Sequence, residues 1–193
     1  MIKPLAMSSN TTKMAISYAL KELVLEKSLN KITIQDIADK CGINRQTFYY
    51  HFQDIIDLVR WILFSDAEKL VKGNKTYDTW QKGYLAVFET IKKDKVFIIN
   101  IYHHAPREYI TEYLYSVTLD LLNDVVEEKV KELKLKVRDE DKFFVSNFFK
   151  YSLVGLVLDW IDKGMDMEPK EIVNKLDSII HGTMEKALTN ASY

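Results

Sequence analysis

The stretch Ile32–Phe52, ITIQDIADKCGINRQTFYYHF, decides the architecture. Thr33 stands where a helix N-cap belongs, and Asp36, three residues on, completes a capping box in which each side chain accepts from the other residue's backbone N–H. Ile37 and Ala38 form the apolar face of a short helix that stops at Cys41-Gly42. Glycine enters the left-handed region without a Cβ penalty, so it ends helices readily. After Ile43, Asn44 is a second N-cap, opening another short helix that carries Phe48 and Phe52. Two short helices joined through a glycine turn make a helix-turn-helix.

Outward from this unit the chain is helical in both directions. Before it, Thr11–Lys27 places Ile16, Ala19, Leu20 and Leu23 on one stripe, with Ser9 or Asn10 as cap. After it, Asp54–Asn74 reads as one helix closed by Gly73-Asn74. Thr79–Lys93 reads as another, with Trp80, Tyr84, Val87 and Phe88 at helical spacing. The run Val96-Phe97-Ile98-Ile99 would suit a buried strand, but no partner strand is legible, so Lys95–His104 is expected to be helical. Pro106 fits the first turn of a long helix reaching about Lys136. Asp139–Asp162 is apolar on nearly all sides and must be covered, in a core or in an interface. The last helix, Pro169 to about Leu188, carries a stripe of Ile172, Leu176, Ile179, Ile180 and Met184. The expectation is an all-α fold of about nine helices. A three-helix part spans residues 1–54 and a longer helical part spans 55–193, joined inside the helix from Asp54.

Composition narrows the class. The chain has 193 residues, 47% hydrophobic and 28% charged, which is the range of folded globular proteins. Gly and Pro are scarce, 6 and 3, so tight turns are few. The single cysteine, Cys41, excludes an internal disulfide framework and is expected to be a small buried side chain. The N-terminus has too short an apolar stretch for a signal peptide and no run reaches the length of a membrane span, so a cytoplasmic protein without a membrane partner is expected. Residues 1–54 carry seven Lys/Arg against five Asp/Glu, while the remainder carries twenty against twenty-three. If one part meets phosphate, it is the first. The charged run Glu127–Lys136 reads as a solvated helix face. His103-His104 sit on different helix faces with no carboxylate at ligand spacing, so neither a metal nor a cofactor is implied. No G-x-S-x-G, P-loop, G-x-G-x-x-G or H-E-x-x-H motif occurs, and an enzyme is not expected.

The quoted stretch resembles the DNA-binding part of the TetR family of bacterial transcription regulators, T-x-x-x-I-A-x-x-x-G-V-x-x-x-x-(L/F)-Y-x-(H/Y)-F. Thr33, Ile37, Ala38, Gly42, Ile43, Phe48, Tyr49, His51 and Phe52 fall in register. The resemblance implies a homodimer that holds double-stranded operator DNA of pseudo-palindromic sequence, with the last two helices forming the dimer interface. Asn44, Arg45, Gln46 and Thr47 would project into the major groove. Arg suits guanine O6 and N7, Gln suits adenine N6 and N7, and the Thr methyl suits thymine. Tyr49, Tyr50, His51 and the amide end of the helix at Thr33 would meet the backbone phosphates. A lysine that the family often carries near the next helix start is missing at Gln53-Asp54-Ile55, leaving Lys13, Lys31 and Lys40 as other phosphate contacts. In this family the C-terminal part usually encloses a ligand cavity. Candidates to line one are Trp80, Tyr84, Phe88, Tyr102, His103, His104, Tyr109, Tyr113, Phe144, Phe148 and Tyr151. The run TFYYHFQDIIDLVRWI is similar to a subgroup that includes an activator of a dihydroxyacetone kinase operon, which implies a sensor protein rather than a small molecule as the switch. A ligand-released repressor of a transporter or catabolic operon, and a helical interaction module without DNA affinity, are the alternatives.

Overall fold

The computed structural model describes residues 9–71, 80–180 and 182–193. Within them lie ten α-helices: α1 (Ser9–Glu26), α2 (Ile34–Cys41), α3 (Arg45–His51), α4 (Ile55–Val71), α5 (Trp80–Lys93), α6 (Lys95–His104), α7 (Arg107–Glu132), α8 (Asp139–Asp162), α9 (Pro169–Ile180) and α10 (Thr183–Asn190). A single 3-10 turn, Leu29–Lys31, follows α1. No strand occurs among the described residues beyond one isolated antiparallel bridge, Val137 with Ser192. The expected closure at Gly73-Asn74 lies outside the described residues.

Two helix ends and one charged run differ from expectation. The last helix is broken in two: Gly182 sits at φ 80°, and the Thr183 hydroxyl donates to the Ile179 and Ile180 carbonyls at 2.8 and 3.0 Å. Helix α7 stops at Glu132, short of Lys136. Its end is closed by Lys134 in the left-handed region (φ 53°), with Leu135 N donating to Val130 O at 3.0 Å and Lys134 N to Lys131 O at 3.2 Å. That is a Schellman closure built without glycine, so no punctuating residue announced it. Third, the run Glu127–Lys136 is not wholly solvated. Lys129 is only 5% exposed, and its ammonium meets Glu132 at 2.7 Å and Glu185 of α10 at 3.1 Å.

The small helices α1, α2 and α3 share a core of Ile16, Leu20, Ile37 and Phe48, all with no exposed surface. Truncating a buried Phe of this kind typically costs about 3–5 kcal/mol. In the larger part, α7 and α8 make the most extensive helix–helix contact, burying Leu114, Leu121 and Val125 from one and Leu153, Val154 and Val157 from the other. Its interior holds a chain of aromatic rings. Trp80 meets Tyr84 at 6.4 Å between centroids, Tyr84 meets Phe88 at 5.1 Å, and Phe88 meets Trp160 at 4.9 Å. The Tyr84 hydroxyl donates to Leu153 O at 2.9 Å, and complete burial pushes its pKa far above the ordinary value.

Helix α8 is buried on one side only. By length and composition it is the one described helix apolar enough to cross a membrane, yet 50% of that apolar window is buried within the fold. Its other side exposes Phe143, Phe144, Phe148, Tyr151 and Leu156, and Ile179 of α9 is exposed as well.

Candidate nucleic-acid interface

The helix-turn-helix is built by caps. Asp36 N donates to Thr33 Oγ1 at 3.1 Å while Thr33 N donates to Asp36 Oδ2 at 2.7 Å, so the capping box is complete. Lys27 Nζ lies 3.0 Å from the same carboxylate. Hydrogen bonds from Thr33 and then the charge of Lys27 hold the Asp36 pKa down to about 2, from 3.8. Its contribution to stability is therefore present above pH 3.8 and is lost as the pH falls through the folded value near 2.

Helix α2 carries Ile34, Ile37, Ala38 and Cys41 at i, i+3, i+4 and i+7, one apolar stripe. Cys41 is half-buried rather than enclosed: its thiol donates to Ile37 O at 2.8 Å, and burial raises its pKa. Gly42 then takes φ 69° and ψ 32°; its N–H reaches Asp39 O at 3.2 Å and that of Ile43 reaches Ala38 O at 3.0 Å. This paired closure ends α2 and turns the chain within two residues.

Asn44 opens α3, its Oδ1 accepting from Thr47 N at 2.8 Å and from the Thr47 hydroxyl at 3.0 Å. Phe48 is fully buried and anchors the helix, with Phe52 at 5.9 Å and Trp61 of α4 beyond it, 5.8 Å from Phe52. The opposite face is left to solvent. Arg45 and Gln46 are exposed, and the Arg45 guanidinium lies 3.5 Å from the Tyr49 hydroxyl. Tyr49 is half exposed, and Tyr50, 82% exposed, meets the edge of His51 at 5.0 Å. The Asn44 carbonyl oxygen is thus engaged by Thr47, while Arg45 and Gln46 present their donors to solvent. Thr33 is tied to Asp36, whose carboxylate also meets Lys27, and lies apart from these α3 side chains.

Cations frame this face. Lys13 Nζ sits 5.4 Å from the Phe52 ring centroid and 5.8 Å from that of Trp61. Partial burial, and then the charge of Lys13, lower the His51 pKa below its ordinary 6.5. Lys31 is exposed, whereas Lys40 is paired with Glu26 at 3.1 Å.

The aromatic candidates of the larger part are dispersed. Trp80, Tyr84, Phe88, Tyr102 and Tyr113 are buried among neighbouring side chains, Tyr109 is half-buried, and His103 and His104 are exposed. Phe144, Phe148 and Tyr151 lie on the open side of α8. Phe144 and Phe148 line an apolar groove of about 470 Å³ with residues of α9 and α10. A second cavity, about 410 Å³, lies where α1 meets α4 and the α5–α6 corner, lined by Tyr18, Lys21, Trp61 and Thr90 among others. No group of three metal-ligating side chains occurs among the described residues.

Comparison with known proteins places this geometry. A family model described as bacterial regulatory proteins of the tetR family matches residues 18–60, and a TetR model described as transcriptional regulator C-terminal region matches residues 78–182. The chain is 26% identical over 168 residues to DhaS, the HTH-type transcriptional activator of the dhaKLM operon in Lactococcus lactis subsp. lactis, covering 86% of this chain and 88% of that protein. It is 35% identical over 52 residues to the HTH-type transcriptional repressor BepR of Brucella suis biovar 1, 27% of this chain and 25% of that one. A solved structure of the dihydroxyacetone kinase operon activator DhaS superposes with a TM-score of 0.73 at 20% identity, covering 94% of this chain and 98% of the other. NalD, the secondary repressor of the MexAB-OprM efflux pump in Pseudomonas aeruginosa, superposes at 0.64 with 18% identity, over 93% and 98%. With the C-terminal model alone spanning more than half of the chain and the capped helix-turn-helix lying inside the N-terminal one, this protein belongs to the TetR family of transcriptional regulators.

Proposed function

We propose that this regulator works as a homodimer on a pseudo-palindromic operator in the cytoplasm and activates a dihydroxyacetone kinase operon together with a sensor protein. The observation that carries the reading is the open apolar face of α8 and α9, where Phe144 is 74% and Ile179 63% exposed. Large aromatic side chains side by side in water are costly at roughly 25 cal/mol per Å², and a second copy of the same face would cover them. Two-fold pairing there sets two α3 helices against one duplex, in successive major grooves.

Residues 1–54 form the reading head and 55–193 the body, with α4 running from one into the other. On DNA, Arg45 and Gln46 read base edges, while Thr33, Tyr49, Tyr50 and His51 hold phosphates. The relative matched over most of the chain is an operon activator, which favours activation over repression. The packing of the Tyr84, Phe88 and Trp160 rings against one another between α5 and α8 favours a protein switch over a small molecule in the body.

Transcription in vitro from a dihydroxyacetone kinase operon promoter tests this. The expected result is a rise in transcript when the regulator and a dihydroxyacetone-loaded sensor protein are both present, and none with either alone. Transcription that falls on adding the regulator and recovers with a small molecule alone would establish the ligand-released repressor instead.

A further inference from the structure

Within the apolar run Val96–Tyr102 of α6 one amide interrupts the pattern, Asn100, and it reaches out of the body into the head. Its Oδ1 accepts from Leu29 N at 2.7 Å, and its Nδ2 donates to Val24 O at 3.2 Å, with Lys27 O at 3.5 Å. Val24 and Lys27 lie at the C-terminal end of α1, where the last carbonyls have no partner within the helix. Leu29 opens the 3-10 turn that leads to α2. A single side chain of the body therefore closes the end of the first head helix and fixes the turn after it.

The same helix grips α1 a second time. Lys21 of α1 pairs with Asp94, the residue before α6, and lies 5.5 Å from the Phe97 ring centroid. Asp94 makes no side-chain cap on α6, its carboxylate being turned to Lys21 instead. Helix α6 also packs on α7 and on α8, the helix that carries most of the open apolar face. The path from α8 through α6 to the end of α1 is thus one of direct contacts, separate from the covalent connection through α4.

We infer that Asn100 is the positioning residue that holds the reading head at a fixed angle on the body. A half-buried amide that satisfies a backbone N–H and a backbone carbonyl at once has one productive orientation, so head and body are registered rather than merely adjacent. Any partner that shifts α6 moves the end of α1 with it, because the hydrogen bonds are lost unless both move. The inference concerns the angle of the head within one chain. It rests on the dimeric operator reading only for its effect on DNA.

The first experiment needs no DNA. Spin labels are placed on exposed positions of head and body, Gln35→Cys on α2 and Asn123→Cys on α7, in a Cys41→Ser background. Labelled chain is diluted with unlabelled chain so that only distances within one chain are read. The expected result is one narrow distance in the parent and a broader or second distance in Asn100→Leu. Asn100→Asp preserves the volume and the acceptor but removes the donors, and it broadens the distance too. Superimposable distributions in parent and variants would overturn the inference. So would failure of both variants to fold, which would make Asn100 a general stability residue.

The second experiment reads the consequence on DNA. An operator is selected from random duplexes by the parent protein, and one base pair is then inserted at its centre. The parent is expected to lose affinity on the inserted site, and Asn100→Leu to lose roughly tenfold less, as expected when one or two net hydrogen bonds no longer resist head rotation. Equal losses in parent and variant would contradict the role of Asn100. A parent indifferent to the insertion would count against the dimeric operator, while the spin-label distances still decide Asn100.

Discussion

His51 releases its proton more readily than a free imidazole, because it is partly desolvated and faces Lys13. The unfolded chain therefore binds that proton more tightly than the folded one. Folding stability from this group is present above pH 6.5 and declines as the pH falls through the lowered folded value. A phosphate beside His51 acts the other way and favours the charged ring, so DNA binding takes up a proton. Affinity should rise as the pH is lowered below about 6.5, and the dependence should vanish in His51→Gln. Fluorescence anisotropy from pH 5.5 to 8 reads this, and a flat wild-type profile would remove His51 from the phosphate contacts. At this scale the caps were plain in the sequence, since Thr33, Asp36 and Asn44 act on neighbours three residues away. The partners of Asn100, Lys21 and Lys129 were not, because each reaches a residue distant in sequence. The break that Asn100 makes in an apolar run was the one available signal.

Helix boundaries follow backbone conformation, and glycine reveals only some of them. Gly42 and Gly182 both take positive φ, and both end or restart a helix. A Cβ at Gly42 would meet nothing within 4 Å, so Gly42→Ala should cost backbone strain alone, about 1–2 kcal/mol. Urea denaturation followed by circular dichroism checks this; a neutral substitution would mean the turn relaxes to another conformation. A lowered operator affinity should accompany the loss, since the closure at Gly42 sets α3 against α2. Lys134 and Met165 take the same conformation without being glycine, and Lys134 is why α7 ends short of the expected Lys136. Helix α6 was legible despite its β-branched run because an all-helical chain offers a lone strand no partner.

Among the described residues, the N-terminal helices meet the rest through α4 and through the contacts of α6 with α1 and the turn after it, and an apolar face of α8 and α9 is left open. The sequence of α8, apolar on nearly all sides, already required cover, and within one chain half of that cover is missing. Phe148→Glu combined with Ile179→Glu should therefore give a folded monomer by sedimentation, with operator affinity reduced as the second half-site contact is lost. A pair of substitutions that leaves the dimer intact would place the interface elsewhere. The ring packing between α5 and α8 was not legible, because aromatic residues at helical spacing line a cavity and fill a core equally well. The most direct test of the regulator is anisotropy against DNA from upstream of its own and neighbouring genes, beside a shuffled fragment, at two salt concentrations. The expected result is salt-dependent binding at least about a thousandfold tighter on one upstream fragment than on the shuffled one. Arg45→Ala should lose about 1–3 kcal/mol on that fragment and little on the shuffled one. Equal affinity for both DNAs, or an equal loss on both, would contradict base reading by α3.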